Sequence, residues 1–210
     1  MSTSRLPVEV FSGDLSKAAF RRSAMRSVLA WDIETSGLDW STDKIGTCQI
    51  GTQDEIMIVV IDQERPPKFL SALLENPEIT KVFHHAPFDL RFMTHHWGIM
   101  PTNVECTKIA SKILNPELRA EEHSLKPVLR RHLGVEISKV QQISDWLSPD
   151  LSEEQLAYAA ADVAHLIPLL ALLRNKTSLE GISEALEASY SYLMTRVILD
   201  IRGSGDVYAY

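Results

Sequence analysis

The chain has 210 residues, a formal net charge of −7, and 45% hydrophobic and 23% charged residues. This length and composition are typical of one globular domain that can bury a sizeable core. The acidic balance argues against a protein that holds long duplex nucleic acid on a broad basic surface, although it does not exclude a nucleic-acid ligand.

The sequence shows few signs of export. It contains no run of 18 apolar residues, and the opening MSTSRLPVEVFSGDL lacks the apolar centre of a signal peptide. We therefore expect a cytoplasmic location and no membrane partner. The two cysteines, Cys48 and Cys106, lie far apart in the sequence and are expected to be small core residues.

We expect a single domain over residues 1–210. Residues 1–27 form an N-terminal arm with a short strand and a helix, about 28–175 form the core, and 176–210 form a C-terminal helix followed by an apolar tail.

The first stretch with candidate functional residues is VLAWDIETSGL, residues 28–38. Its apolar run predicts a buried strand, and because strand side chains alternate, Asp32 and Glu34 point to the same side. Two carboxylates so placed repel each other and resist desolvation, so an ionised pair requires a counter-charge, most simply a divalent cation. The alternative is that both acids merely face water at the end of the strand.

The next segments predict the rest of a sheet. Apolar strands are expected near 45–52 and 55–61, joined by a tight antiparallel hairpin at 52–54, and a further strand is expected at 79–85. A short helix is expected at 66–74 between them. Later helices are expected near 87–97, 104–114, 124–133, 152–174 and 183–200. Strands followed by helices indicate a three-layer α/β fold with a mixed five-stranded sheet flanked by helices.

The second stretch is KVFHHAPFDLRFM, residues 81–93. Pro87 suits the first position of a helix, which places Asp89 in the first turn. The helix dipole alone would favour an acid there by about 0.3–1 kcal/mol. A helix that begins at the carboxyl end of a strand also points its first turn at the crevice where α/β proteins bind ligands.

Four histidines in this region offer zinc as an alternative. They are His84, His85, His95 and His96. Adjacent residues on a strand face opposite ways, and the second pair lies nearly three turns along the helix. Convergence of all four on one ion is therefore disfavoured.

The third stretch, LSEEQLAYAAADVAHL, predicts a helix that begins with a capping box of Ser152 and Gln155. Tyr158 and Asp162 stand one turn apart on this helix, so both can serve one site. Pro168 is expected to kink the helix beyond that point. Taken alone, the spacing of Tyr158 and Asp162 is also explained by chance.

Together these motifs resemble the DEDD exonuclease superfamily, in its tyrosine-containing ribonuclease D-like branch. The D-x-E of WDIETSGL, the aspartate of HHAPFDLRFM and the Y-x-x-x-D of YAAADVAHL occur in the family's order. The segments CTKIASKIL, HSLKPVLRRHLGV and SKVQQISDW are also similar to this branch, so the resemblance extends from about Asp14 to Asn175. The length and the FSGDL opening are most similar to the small nano-RNase C group. The resemblance implies an RNase H-like fold.

The resemblance further implies a metal-dependent 3′-5′ exonuclease. Asp32, Glu34, Asp89 and Asp162 would hold two Mg²⁺ or Mn²⁺ ions roughly 3.5–4 Å apart. Tyr158 would hydrogen-bond the attacking water. The product would be a nucleoside 5′-monophosphate released from the 3′ end, with short RNA as the favoured substrate and DNA possible.

The resemblance also implies a pocket for the terminal nucleotide. Thr35 and Leu38 would hold that nucleotide by backbone contacts and apolar wedging. Gln49, His85 and Phe88 are further candidates for the same pocket, and Phe88 is also a candidate to stack on a base.

Other functions stay open at this point. The chain could trim the 3′ ends of tRNA or structured RNA, or act as a DNA repair exonuclease like that of the Werner helicase. It could also be a catalytically silent nucleic-acid-binding module. The tail, with Val207, Tyr208 and Tyr210, is apolar for a chain end, so we expect it to pack on the domain or on a neighbouring subunit in a homo-oligomer.

Overall fold

The computed structural model describes residues 6–137 and 144–209. The predicted motif SKVQQISDW therefore lies partly outside the described residues, as does Tyr210 of the predicted apolar tail. In the described ranges the strands are β1 Val8–Gly13, β2 Val28–Thr35, β3 Ile45–Gly51, β4 Ile56–Ile61, β5 Thr80–Phe83 and β6 Val104–Cys106. The α-helices are α1 Lys17–Ala24, α2 Lys68–Glu75, α3 Ala86–Trp97, α4 Thr107–Leu114, α5 Leu125–Leu133, α6 Glu153–Ala164, α7 Leu166–Leu179 and α8 Ser183–Ile201. A 3₁₀ turn spans Ala120–His123.

The strands form one mixed sheet in the order β1-β4-β3-β2-β5-β6. Strand β3 is antiparallel to both β2 and β4, whereas the β1–β4, β2–β5 and β5–β6 pairs are parallel. The predicted α/β architecture with a mixed sheet flanked by helices is confirmed.

The predicted number of five strands is wrong, because the residues that the structure describes already form a sheet of six. The additional strand is β6, which we expected to be the start of a helix near 104–114. It is three residues long and leads directly into α4. A segment this short shows no periodicity of its own, and its pairing with β5 defines it as a strand.

Alternation along β2 separates apolar side chains from acidic ones, as predicted. Trp31 and Ile33 are buried in the larger core on one face of the sheet. The opposite face carries Ala30 on β2, and this alanine packs with Val163 of α6 in a second apolar cluster. Asp32 and Glu34 lie on this second face, beneath α6.

The predicted helix over 152–174 is two helices, and the break lies beyond Tyr158 and Asp162, as the predicted kink at Pro168 requires. Helix α6 ends at Ala164, the backbone of His165 (φ −117°, ψ 2°) is not helical, and α7 begins at Leu166. Proline has no N–H to donate to the carbonyl four residues earlier, and its ring crowds that carbonyl. The helix is therefore interrupted at His165, one turn ahead of Pro168.

By length and hydropathy alone, residues 153–179 meet the criterion for a membrane-spanning helix. The break at His165 divides this stretch, and Leu166, Leu169 and Leu173 of α7 are buried inside the domain. Core packing accounts for the apolar character of these residues.

Helix α8 packs against α3 and α4 through buried residues that include Leu186, Leu193 and Val197. Beyond α8 the tail turns back, and the ring of Tyr208 lies 5.7 Å from that of Tyr192. Tyr208 nevertheless remains 73% exposed. The described part of the tail thus contacts the domain without being buried by it.

Candidate active site

Three acids from two elements meet at one point. Carboxylate oxygens of Asp32 and Glu34 on β2 and of Asp162 on α6 all lie within 4.8 Å of one another. In the part of the chain that the structure describes, no other group of three or more histidines, cysteines or acids is placed in this way. Asp32 and Asp162 keep part of their surface exposed, which leaves the group open to a ligand.

Helix α6 reaches this position because small residues lie where it meets the sheet. Ala159 and Ala160 are buried on the sheet side of the helix. On β3, a Cβ atom at Gly51 would lie 3.1 Å from the backbone oxygen of Val163. The absence of a side chain at Gly51 therefore lets α6 approach closely enough to bring Asp162 to the acids of β2.

Asp89 joins the group from α3. It is 2% exposed, and its carboxylate accepts a hydrogen bond of 3.2 Å from the backbone N–H of Ile33. Strand β5 pairs with β2 only as far as Ala30, so it leaves the N–H of Ile33 without a strand partner on that side. The prediction that Asp89 lies in the first turn of its helix is confirmed.

Burial and mutual repulsion raise the pKa values of these acids. Burial, followed by the charges of Asp162 and Asp89, raises the pKa of Glu34 to about 9. Burial, partly offset by backbone hydrogen bonds and assisted by Asp162, raises the pKa of Asp89 to about 8. The pKa of Asp32 is raised for the same reasons, burial first and its acidic neighbours next. The group resists full ionisation unless positive charge is supplied.

The donor set fits a hard divalent cation. Asp32, Glu34 and Asp162 offer carboxylate oxygens at short mutual distances, and Asp89 is close enough to raise the pKa of two of them. Oxygen-only donors suit Mg²⁺ or Mn²⁺ better than Zn²⁺, which prefers nitrogen and sulfur ligands.

Tyr158 lies one turn before Asp162 on α6, and its hydroxyl donates a hydrogen bond to the Asp162 carboxylate. Burial first, and then the charges of Asp162 and Glu34, raise the pKa of the Tyr158 hydroxyl far above its ordinary value. The tyrosine is therefore protonated at neutral pH. In this form it donates a hydrogen bond at the site and is a poor base.

A residue that we did not assign to the site supports Tyr158. Trp146 is 1% exposed, and its ring lies 5.9 Å from that of Tyr158. A Cβ atom at Gly46 would overlap the backbone carbonyl of Trp146, so the segment around Trp146 is packed directly on the start of β3. Gln155 also holds this segment, because its Nε2 donates a hydrogen bond to the backbone oxygen of Asp145 at 3.0 Å. The resemblance of SKVQQISDW to the family was the only signal for Trp146 in the sequence.

Two of the predicted nucleotide-binding residues lie just beyond the acids. Thr35 ends β2, and its hydroxyl donates to the carbonyl of Gly37 at 2.6 Å, which fixes the turn that follows. Leu38 is 83% exposed in this turn. An apolar side chain this exposed is available to contact a base.

His85 and Phe88 form a stacked pair next to Asp89, with ring centroids 6.3 Å apart. His85 adopts a left-handed backbone conformation (φ 79°) where α3 begins. Its pKa is lowered, by partial desolvation first and then by the charges of Lys108 and Arg91. The ring is therefore neutral at pH 7 and can both stack and hydrogen-bond.

Gln49 is placed differently from the expectation that it contacts the nucleotide. Its side chain is fully buried on β3, directly opposite Asp32 in the strand register. A side chain without exposed surface does not reach a nucleotide at the mouth of the site, and Gln49 instead neighbours Asp32 on the same face of the sheet.

The zinc alternative is not supported. Both ring nitrogens of His84 are engaged, one with the hydroxyl of Thr107 at 2.8 Å and the other with the backbone oxygen of His123 at 3.0 Å. His95 and His96 contact each other instead, next to Trp40. Within the described ranges, no metal-binding group includes any of these histidines.

Comparison with known proteins places this arrangement in a family. A family model described as 3′-5′ exonuclease matches residues 7–178. Among solved structures, Brucella melitensis NrnC is 35% identical, with a TM-score of 0.90 over 97% of this chain and 98% of that chain. The same protein has been solved bound to pGG (34% identical, TM-score 0.90) and with bound Mg²⁺ (33% identical, TM-score 0.89). Each of these two matches covers 98% of this chain. The pGG complex is covered to 99% of its length and the Mg²⁺ complex to 100%.

Other relatives are longer proteins. A ribonuclease D of Gluconacetobacter diazotrophicus is 35% identical over 136 residues, which are 63% of this chain and 33% of that protein. The chain thus spans about a third of the length of this curated relative. Escherichia coli RNase D shares the fold, with a TM-score of 0.78 at 22% identity over 91% of this chain and 51% of that chain.

Proposed function

Because the chain belongs to the 3′-5′ exonuclease family, in its ribonuclease D-like and NrnC-like branch, we propose that its substrate is short RNA. It would release nucleoside 5′-monophosphates one at a time from the 3′ end with the help of two Mg²⁺ or Mn²⁺ ions. The observation that carries this proposal is the convergence of Asp32, Glu34 and Asp162 beside the buried Asp89.

The four acids would hold the cations, and a different structural feature sets the position of the acids on each element. Asp32 and Glu34 are set by the alternation of β2, Asp162 by the close approach of α6, and Asp89 by its hydrogen bond to Ile33. When bound, the two cations would acidify a water molecule and neutralise the charge that develops on the phosphate during in-line displacement.

Tyr158 would orient the attacking water. Its hydroxyl already donates to Asp162 and remains protonated, so it can hold a water molecule in line with the scissile phosphate without removing a proton from it. Trp146 packs beside the Tyr158 ring and would help to hold it in place.

Four residues around the acids would position the terminal nucleotide. Leu38 would press an apolar side chain against the base, and Thr35 would keep the Leu38 turn in place. The stacked rings of His85 and Phe88 would offer a second flat surface to the nucleotide.

Two observations support short RNA as the substrate. The chain matches NrnC over nearly the full length of both proteins, and NrnC has been solved bound to pGG. Among the described residues, Arg91, Lys108 and Lys112 place positive charge near His85. A net charge of −7 suits a ligand with few phosphates better than a long strand.

A time course with 5′-labelled RNA of two, seven and twenty nucleotides, and with matching DNA, tests the proposal in Mn²⁺ and in EDTA. We expect the dinucleotide to be consumed fastest, only in Mn²⁺, and not by the Asp32→Ala variant. Stepwise shortening of long RNA or DNA without a preference for dimers would instead support trimming or DNA repair. The absence of any hydrolysis would indicate a silent binding module.

We also propose that the protein is cytoplasmic and forms a homo-oligomer through its C-terminal tail. The exposed apolar residues Val207 (52%) and Tyr208 (73%) support the second proposal, because adjacent exposed apolar side chains offer a surface that a second copy of the chain can bury.

A further inference from the structure

A small polar group lies under α6, next to the second apolar cluster of the sheet. Strands β2 and β3 pair so that Asp32 faces Gln49 and Glu34 faces Thr47. Side chains directly opposite in an antiparallel pair share a face, with Cβ atoms about 4.5–5.5 Å apart. The two acids of β2 are therefore backed by an amide and a hydroxyl from β3. Gln49 and Thr47 are both fully buried.

The hydrogen bonds of Gln49 are incomplete. Its Nε2 donates to Thr47 Oγ1 at 2.7 Å, whereas its Oε1 is buried and has no hydrogen-bond partner. Buried polar atoms are rarely left without partners, and such an atom beside a functional site calls for an explanation.

The explanation lies in the symmetry of the amide. Rotation of the Gln49 amide by a half turn exchanges Nε2 and Oε1 at almost no steric cost, because the two atoms are nearly the same size. The hydroxyl of Thr47 can either donate or accept, so the Gln49–Thr47 bond survives this exchange. Oε1 then accepts from Thr47, and Nε2 becomes free to donate.

An ionised carboxylate accepts hydrogen bonds and cannot donate them. When cations hold Asp32 in its ionised form, a neighbouring side chain can hydrogen-bond to this carboxylate only as a donor. Gln49 is the residue that the strand register places opposite Asp32.

We propose that Gln49 is a positioning residue for the Asp32 carboxylate. In the cation-loaded enzyme its amide N–H donates to Asp32, while Thr47 holds the other end of the amide. This inference rests on the proposed function, since it needs a cation at the acids. It assigns Gln49 a role behind the cation ligands, in place of contact with the nucleotide.

Partners behind a metal ligand orient that ligand, and their loss typically weakens metal affinity or activity by roughly 10–100-fold. Gln49→Met removes the amide while keeping a buried, unbranched side chain of similar length. Calorimetric titration with Mn²⁺ alone measures the affinity directly. We expect Mn²⁺ binding about tenfold weaker or worse, a lower kcat on the dinucleotide, and an unchanged KM, because Gln49 does not touch the substrate.

Two further variants separate positioning from folding. Thr47→Val removes the hydroxyl that anchors the amide, and we expect a smaller loss of Mn²⁺ affinity in the same direction. It tests the inference even if Gln49→Met does not fold. Thr177→Val is the matched control, because Thr177 is equally buried and its hydroxyl bonds a backbone oxygen on α7, outside this group. It should lower the melting temperature and leave Mn²⁺ binding unchanged.

Folded Gln49→Met or Thr47→Val protein that binds Mn²⁺ as tightly as the unsubstituted protein would overturn the inference. A raised KM with unchanged Mn²⁺ affinity would also overturn it and would restore the expectation of nucleotide contact. If the unsubstituted protein itself bound no Mn²⁺, the proposed function would fail, and this inference with it.

Discussion

The carboxylate of Asp89 accepts a hydrogen bond from the backbone N–H of Ile33, just beyond the point where strand β5 stops pairing with β2. One side chain thus completes the hydrogen bonding of the central strand and supplies an acid to the site. The two roles respond differently to substitution, because the first needs only an acceptor oxygen and the second needs a negative charge.

Substitution of Asp89 should separate these roles. Asp89→Asn keeps an oxygen for the N–H of Ile33 but loses the charge, so we expect a stable protein with activity reduced by more than about 100-fold. Asp89→Ala should be equally inactive. It should also be less stable by about 1–3 kcal/mol, because a buried N–H loses its acceptor. Urea unfolding and dinucleotide hydrolysis measure the two effects, and equal stability of the two variants would contradict this account.

The stability of the metal-free protein should depend on pH through the raised carboxyl pKa values. Folding raises the pKa of Glu34 from an ordinary 4.5 to about 9, so this carboxyl group binds a proton more tightly in the folded state than in the unfolded state. Its stabilising contribution is therefore present below pH 4.5 and is lost as pH rises towards 9.

Mn²⁺ should reverse this trend, because cation binding displaces the protons of the acids. The rise in melting temperature on adding Mn²⁺ should be larger at pH 8.5 than at pH 5.5. Scanning calorimetry in EDTA and in Mn²⁺ measures it, with Glu34→Gln as the control that should show a weaker pH dependence. An equal Mn²⁺ effect at both pH values would show that the acids do not exchange protons for the cation.

Tyr158→Phe should lower kcat by roughly 100-fold, because a misplaced water reacts slowly. Since the hydroxyl remains protonated, its removal should leave the shape of the pH–rate profile unchanged. Mn²⁺ affinity should stay within a few-fold of the unsubstituted protein. Loss of an ionisation from the profile would identify Tyr158 as a base instead.

Gly46→Ala should damage the site from a distance. A Cβ atom there would overlap the carbonyl of Trp146, and the displaced segment would withdraw support from the Tyr158 ring. We expect a loss of about 1–3 kcal/mol in stability, as for other overpacked sites, together with a reduced kcat. Trp146→Phe provides the comparison, because it leaves the backbone of the segment undisturbed. Full activity of Gly46→Ala would mean that Trp146 does not control Tyr158.

If the tail forms subunit contacts, the double substitution of Val207 and Tyr208 by serine should shift the protein to a smaller species. Light scattering at several concentrations measures the mass. The melting temperature of the dissociated species should fall only slightly, since both residues are exposed within one chain. A monomeric unsubstituted protein would remove the basis for this expectation.

Much of the site could be predicted because its rules are local. Alternation along a strand placed Asp32 and Glu34 together, and helical spacing placed Tyr158 near Asp162. Strand β6 was missed because a segment of three residues has no periodicity that predicts a strand, and only its pairing with β5 defines it as one. The position of Gln49 was also missed, since burial of a strand residue depends on which helix covers that face.

Gly51 sets the width of the site. Helix α6 comes close to β3 because Gly51 has no side chain, so backbone packing helps to hold Asp162 at its distance from Asp32 and Glu34. An oxygen site of fixed width discriminates between ions by radius. Mg²⁺, with ligand distances of about 2.0–2.1 Å, is expected to be preferred over Ca²⁺, which needs about 2.3–2.6 Å. Strong activation by Ca²⁺ would show that the acids adjust their spacing after all.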